Sequence, residues 1–178
     1  MDSLVSIIIP HWNGIDILSE CLDSLKKTVY PNFEIIVVDN ASTDGSGDWI
    51  KNHHPQIKLI KNEKNYGYAG GCNRGVLHAD GELVVFLNND TVQDKYWLRN
   101  LVSFINSHPD CAAVQPKILN YYERNRFDYA GGSGGHMDVL CYPFARGRIF
   151  LEQEIDSGQY DDDDRCFWAS GTAIMVRK

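Results

Sequence analysis

Paired cysteines, long apolar runs and clustered cations are all missing from this sequence. Its five cysteines, Cys21, Cys72, Cys111, Cys141 and Cys166, are scattered, odd in number and never spaced Cys-x-x-Cys. That argues against a zinc ribbon or a dithiol redox motif. His11, His53, His54 and His136 have no spacing that suggests a metal triad. His53-His54 before Pro55 reads as a helix end, where an imidazole meets the negative pole of the dipole. No apolar run approaches the ~20 residues a membrane helix requires, so any peripheral membrane contact is made from the surface. No stripe of Lys and Arg relieves a net charge of −7, which argues against nucleic acid as a partner. No Gly-Lys-Ser/Thr occurs, so there is no P-loop, and "GYAGG" follows a later strand, not the first as a dinucleotide fingerprint should. Isolated thiols without a signal segment fit a cytoplasmic location, with the inner face of a membrane as the place of any contact.

What is present is an ordinary globular composition, 43% hydrophobic and 23% charged over 178 residues, enough for one domain with a core. Val5 to Ile9 is a β-branched run stopped by Pro10, and Ile15, Leu18, Leu22 and Leu25 then recur at helical spacing. Glu34 to Val38 is a second strand, "NASTDGSGD" offers caps for a helix around Trp49 and Ile50, and Ile57 to Ile60 is a third, shorter strand. "NYGYAGGCNRG" leads into a helix reaching Ala79, Leu83 to Leu87 is the next strand, and Trp97, Leu98, Leu101, Val102 and Ile105 outline another helix. Alternating strand and helix with continuously apolar strands means an α/β fold, a mainly parallel sheet covered on both faces. From Asn120 to Asp164 the pattern dissolves into irregular loops and hairpins, including "GGSGG" and the solvated acid run Asp161 to Asp164. Thr172 to Val176 closes the chain as one more strand, and stopping directly after it reads as a truncated end.

A parallel sheet delivers the carboxyl ends of its strands to one edge, where ligands bind. Here that edge collects "PHWN" (10–13), "DNAS" (39–42) and "NND" (88–90). Each alone reads as a turn, since Asn and Asp hydrogen-bond their own backbone. Together they make a pocket with hydrogen-bonding and metal-binding capacity.

"VSIIIPHWNG", "EIIVVDNASTDGS", "NYGYAGGCNRG" and "LVVFLNNDT", in this order and spacing, resemble the successive motifs of family 2 glycosyltransferases of the GT-A fold, most closely the rhamnosyltransferase-like branch. The resemblance covers residues 4 to 116, the donor-binding half, and more weakly "FWASGTAIMVRK", within an acceptor-side half that spans 117 to 178; the whole is one domain, 1–178. It implies a transferase that moves a sugar, rhamnose among the candidates, from a UDP- or dTDP-sugar to an acceptor hydroxyl with inversion, in polysaccharide or glycolipid synthesis. The acceptor it implies is a glycan or a lipid-linked sugar. By the same resemblance Pro10, Trp12 and Asn13 line the base and ribose pocket, with Trp12 stacking on the base, and Asp39 accepts from the base N–H. Asn65, Gly67 and Asn73 face ribose or phosphate, and Trp168 and Ser170 open the acceptor wall. For each a plainer reading stands beside this one: core packing for Trp12 and Trp168, an Asx turn for Asp39, close helix packing for the glycines. Arg74 reads as a solvated arginine.

"NND" takes the place of the family's Asp-x-Asp motif, so Mg2+ or Mn2+ would bridge Asp90 and the donor phosphates. Asn88 stands where the first carboxylate belongs, which implies a weaker metal site in which the amide holds a ribose hydroxyl or a metal-bound water. An inverting transfer also needs a general base, which the family carries in a motif beyond the position of Lys178. Asp128, Asp138 and Asp161 to Asp164 are carboxylates without a matching position, and none is nominated. A non-catalytic nucleotide-sugar-binding module is therefore the alternative. A nucleotidyltransferase ranks lower, because "IIIPHWNG" lacks the Gly-rich loop with Arg and Lys that such enzymes begin with.

Overall fold

Val5, Ile7 and Ile9 point to one face of the sheet and Ile8 to the other, and all four are completely buried. That double burial explains why Ile7, Ile8 and Ile9 follow one another without the alternation of a half-exposed strand. In the computed structural model, which describes residues 2–130 and 132–178, the strand is β1, Val5–His11. It is followed by α1 (Ile15–Leu25), β2 (Phe33–Asp39), α2 (Ser46–His53), β3 (Lys58–Lys61), α3 (Gly67–Val76), β4 (Leu83–Leu87) and α4 (Trp97–Ser107). After these come the short β5 (Ala113–Val114), the strands β6 (Gly135–Met137), β7 (Pro143–Ala145), β8 (Arg148–Ile149) and β9 (Glu152–Gln153), and finally β10 (Ala173–Arg177). The fold is α/β, with a six-stranded sheet in the order β3-β2-β1-β4-β10-β5 and a separate four-stranded sheet β6-β7-β8-β9.

β1, β2, β3 and β4 are parallel neighbours, each joined to the next by a helix. β10 runs antiparallel to β4, and β5 antiparallel to β10. A parallel strand requires a crossover connection, usually helical, and no helix lies between β5 and β10.

One face carries Val5, Ile7, Ile9, Val37, Val85, Leu87 and Met175 beneath Leu18, Leu22 and Leu25 of α1, Ile50 of α2 and Leu98, Leu101, Val102 and Ile105 of α4. Burying each such aliphatic side chain contributes about 1.5–3 kcal/mol. The opposite face carries Ile8, Ile36, Val38 and Val84, and α3 lies on it. α3 comes unusually close because its contact residues are glycines. A Cβ at Gly75 would sit 2.4 Å from Ile8 Cγ2, and one at Gly71 would sit 2.9 Å from Pro10 Cβ.

Two boundaries move by more than one residue from their sequence expectations. β1 does not stop at Pro10 but pairs with β2 through Pro10↔Val38 and His11↔Asp39. Val5 N donates to Asn32 O and Asn40 N donates to His11 O, so odd-numbered residues of β1 face β2 and Pro10 faces β4. The β1–β4 ladder has already ended at Ile8↔Phe86, so the N–H that proline lacks is not needed there. α3 ends at Val76, not Ala79; Leu77 to Ala79 continue as a hydrogen-bonded turn.

Candidate functional site

The parallel register sets His11, Asp39 and Lys61 side by side at the carboxyl edge, and β4 brings Asn88, Asn89 and Asp90 beside them. Because α1, α2 and α3 each follow a parallel strand, their N-termini open on the same edge. The positive ends of three helices therefore gather where an anion such as a diphosphate would be favoured. β10, being antiparallel, brings its beginning there instead: Asn88 N donates to Thr172 O at 2.9 Å, and the Tyr68 hydroxyl of α3 donates to Gly171 O.

Trp12 is 56% exposed, so its indole is no part of the core and stands at the rim of this edge. Asn13, in the left-handed region at φ 56°, ties two loops together. Its N–H donates to Ser42 Oγ at 3.0 Å and its side-chain oxygen accepts from Thr43 N at 2.8 Å. Pro10 is buried beneath Gly71 and forms the floor, not the wall. Asp39 is 5% exposed, and its Oδ1 accepts from Ser42 N at 2.8 Å, an Asx turn. Its Oδ2 faces a gap that only glycine leaves: a Cβ at Gly47 would lie 2.8 Å from both Oδ2 and Lys61 Nζ. The turn thus uses one oxygen of the carboxylate and leaves the other outside it.

Asn65 Oδ1 accepts from Gly67 N at 2.8 Å, which shapes the entry to α3. Gly67 has φ +71° and a Cβ there would meet nothing within 4 Å. Its glycine is needed for backbone conformation, whereas Gly71 and Gly75 are needed for packing. Asn73 stands apart. It is exposed, and at 100° per residue it lies on the side of α3 away from Gly71 and Gly75, which face the sheet. Arg74 lies over the Tyr66 ring, 3.7 Å from its centroid.

In "NND", Asn88 and Asn89 are half-buried and Asp90 is exposed. The Asn88 carbonyl accepts from Thr91 Oγ1 at 2.8 Å and from the Cys21 thiol at 3.8 Å. Burial pushes that thiol up to about 12, so it stays protonated. Asp90 makes no hydrogen bond and no ion pair with any described residue. An exposed carboxylate without such a partner is suited to a hard cation. Among the described residues no group of three His, Cys, Asp or Glu side chains could hold a metal alone. Asp90 could therefore hold Mg2+ or Mn2+ only with phosphate oxygens completing the ligand set.

On the acceptor side the polar atoms are engaged within the chain. Trp168 Nε1 donates to His136 O at 3.1 Å, and its ring occupies the space a Cβ at Gly135 would need, 2.0 Å from Cδ2. The Ser170 hydroxyl donates to Ala130 O. Asp128 Oδ1 accepts from Ala130 N at 2.7 Å and Asp138 Oδ1 from Leu140 N at 2.8 Å, so both carboxylates shape turns. The acid run is exposed but not wholly solvated, since Asp161 pairs with Lys117, and Asp162 and Asp164 with Arg146.

Sequence reasoning passed over the residues that hold the edge together. Asn40, 3% exposed, donates to Gly67 O at 3.2 Å and accepts from Asn62 Nδ2 at 2.8 Å. His11 bridges Asn89 and Ser46. Their only signal was a polar residue directly behind an apolar strand. A cavity of about 580 Å3 flanks α1, lined by Asp16, Glu20, Lys27, Val92, Gln93 and Arg124. Its acidic wall suits a phosphate poorly.

Residues 6–169 match the model of glycosyl transferase family 2. The chain belongs to that family. This family 2 chain is 30% identical over 158 residues to the glycosyltransferase GlyG of Streptococcus pneumoniae, covering 87% of the chain and 48% of that protein. It is 33% identical over 113 residues to WfgD of Escherichia coli, a UDP-Glc:alpha-D-GlcNAc-diphosphoundecaprenol beta-1,3-glucosyltransferase, covering 58% of the chain and 45% of that protein. Among solved structures it resembles the Pyrobaculum calidifontis mannosyltransferase in complex with GDP-Man and Mn2+, with a TM-score of 0.62 and 29% identity over 67% of this chain and 36% of that one. It also resembles Staphylococcus aureus TarS 1–349 in complex with UDP, with a TM-score of 0.63 and 26% identity over 74% of this chain and 40% of that one. The chain spans less than half the length of these relatives.

Proposed function

We propose that the chain is the donor-binding portion of an inverting glycosyltransferase that takes a sugar from UDP or dTDP and passes it to a glycan or lipid-linked acceptor. The observation that carries this reading is the unpaired, exposed Asp90 on an edge shared with three helix N-termini and the exposed indole of Trp12. Trp12 stacks on the base, Asp39 Oδ2 accepts from it, and the turn from Asn65 to Gly67 lets backbone approach ribose or phosphate. Asn88 contributes an amide beside the ribose. A place for Asn73 rests on the motif resemblance, since its side chain is exposed on the side of α3 away from the sheet. Mg2+ or Mn2+ held by Asp90 would offset the negative charge of the departing diphosphate. The UDP complex of one structural neighbour and the GDP-Man and Mn2+ complex of another support this assignment. A rhamnose donor and a polysaccharide or glycolipid product rest on the motif resemblance.

Calorimetric titration of UDP and dTDP, with and without Mn2+, tests the reading. Wild type should bind one of them more tightly with Mn2+, and Asp90→Ala should lose that enhancement while its melting temperature is unchanged. Equal affinity with and without the metal in the wild type would remove Asp90 from this role.

A peripheral membrane contact also belongs to this reading. The β6–β7 and β8–β9 turns emerge at the same end of the four-stranded meander. They carry Val139, Leu140, Phe150 and Leu151, each more than 70% exposed. Clustered apolar side chains at hairpin tips suit a lipid surface better than water, and the carboxylate in the first turn, Asp138, accepts from the backbone N–H groups of Leu140 and Tyr142. Co-sedimentation with phosphatidylcholine vesicles should fall severalfold in a Leu140→Asp, Phe150→Asp variant.

A further inference from the structure

His11 is the buried link on which the edge turns, at 1% exposure. Its Nε2 lies 2.9 Å from Ser46 Oγ and its Nδ1 2.9 Å from Asn89 Nδ2. The direction of each bond follows by elimination. Ser46 Oγ donates its only hydrogen to Asp44 Oδ1, so toward His11 it accepts, and Nε2 carries the proton. In a neutral imidazole Nδ1 is then an acceptor, and the Asn89 amide must present its NH2 group to it. The carbonyl of Asn89 is thereby turned away from the ring. Burial holds His11 below the usual imidazole range, against the opposing pull of Asp39 and Asp44, the carboxylates that face it, so the ring is neutral near pH 7.

The chain of bonds continues. Asp44 Oδ2 accepts from Gly14 N at 2.7 Å and Oδ1 from Ser46 N at 3.0 Å. One connected path therefore runs from the middle residue of "NND" through the end of β1 to the starts of α2 and α1. These are the loops that frame the donor edge, and Asp90 is the next residue along from Asn89.

We infer that His11 is a positioning residue: by fixing the orientation of the Asn89 amide it sets the turn that presents Asp90 to the donor diphosphate. It touches neither metal nor substrate. The inference rests on the donor-site reading above. An apolar residue in its place leaves both the Asn89 amide and the Ser46 hydroxyl without their buried partner, and the turn is freed to reorient. Glutamine can restore one acceptor and one donor.

The test compares wild type, His11→Leu and His11→Gln in calorimetric titrations of UDP with and without Mn2+. His11→Leu should lose about tenfold in the Mn2+ enhancement of affinity, the low end of what removing an outer partner of a metal site costs, because His11 acts on Asp90 through the adjacent Asn89. Metal-free UDP binding should stay within twofold, and His11→Gln should recover most of the loss. Equal weakening of both titrations, or an unchanged enhancement, overturns the inference while leaving the donor site standing. No UDP or dTDP binding by wild type overturns the donor site itself. The imidazole 15N spectrum of the free wild-type protein checks the bond directions separately. A protonated Nε2 with a bare Nδ1 at pH 7 is expected, and the opposite tautomer sinks the argument whatever the titrations give.

Discussion

Trp12 and Trp168 carry the same side chain to opposite fates. Trp12 is 56% exposed, whereas Trp168 donates to His136 O and lies against Gly135. An exposed indole contributes little to folding, so Trp12→Ala should change stability by less than about 0.5 kcal/mol. Loss of stacking on a base costs about 1–3 kcal/mol, so UDP affinity should drop about tenfold or more by calorimetry. The histidines behave differently again. His54 is 3% exposed at the end of α2, and burial, reinforced by Lys26, holds it below the usual imidazole range. The unfolded chain therefore takes up a proton near pH 6.5 before the folded chain does. Stability should be level above that pH and fall as pH drops from 6.5 toward the lowered folded value, with His11 acting in the same sense. Urea midpoints at pH 7.5 and 5.5 check this, and His54→Phe should shrink the difference.

Among the elements, α3 shows how a sequence feature can carry two meanings. Its glycines invited a ligand reading and a packing reading, and the structure divides them by position. Gly67 at φ +71° opens the helix at the donor edge, while Gly71 and Gly75 let it lie on the sheet. In isolation alanine at 75 would favour the helix by about 1 kcal/mol. Here its Cβ would meet Ile8 Cγ2 at 2.4 Å and Val38 Cγ2 at 3.1 Å. Overpacking of that kind costs about 1–3 kcal/mol, and Ile8 and Val38 are completely buried strand residues with little room to yield. Gly75→Ala should therefore lower the urea midpoint despite the gain in propensity. β1 likewise runs through Pro10, because the side of the strand that lacks an N–H has no neighbour at that level.

For the molecule as a whole, one sheet order does most of the work. Four parallel strands put four strand ends and three helix starts on one edge, and the antiparallel β10 brings Gly171 and Thr172 to meet them. The later part of the chain, expected as irregular loops and hairpins, joins its hairpins into a second small sheet, anchored by the bridge between Gly135 and Trp168 and by Lys117 to Asp156 at 2.9 Å. Its strands are two or three residues long, too short for a two-residue period to stand out from noise.

By itself the sequence determined the α/β class, the order of the first four strands and helices, and the polar residues that follow each strand. Apolar periodicity is a local property, and burial on both faces of a parallel strand leaves a continuous run that can be read without coordinates. Only the tertiary structure decided which of those polar residues face outward. Asn13 and Ser170 prove to be held by their own chain, Asn73 is carried to the side of α3 away from the sheet, and Asp90 is left unpaired among the described residues. The links made by His11 and Asn40 join residues 22 to 78 positions apart. Hydrogen bonds of that reach depend on strand order and register, which no local pattern records.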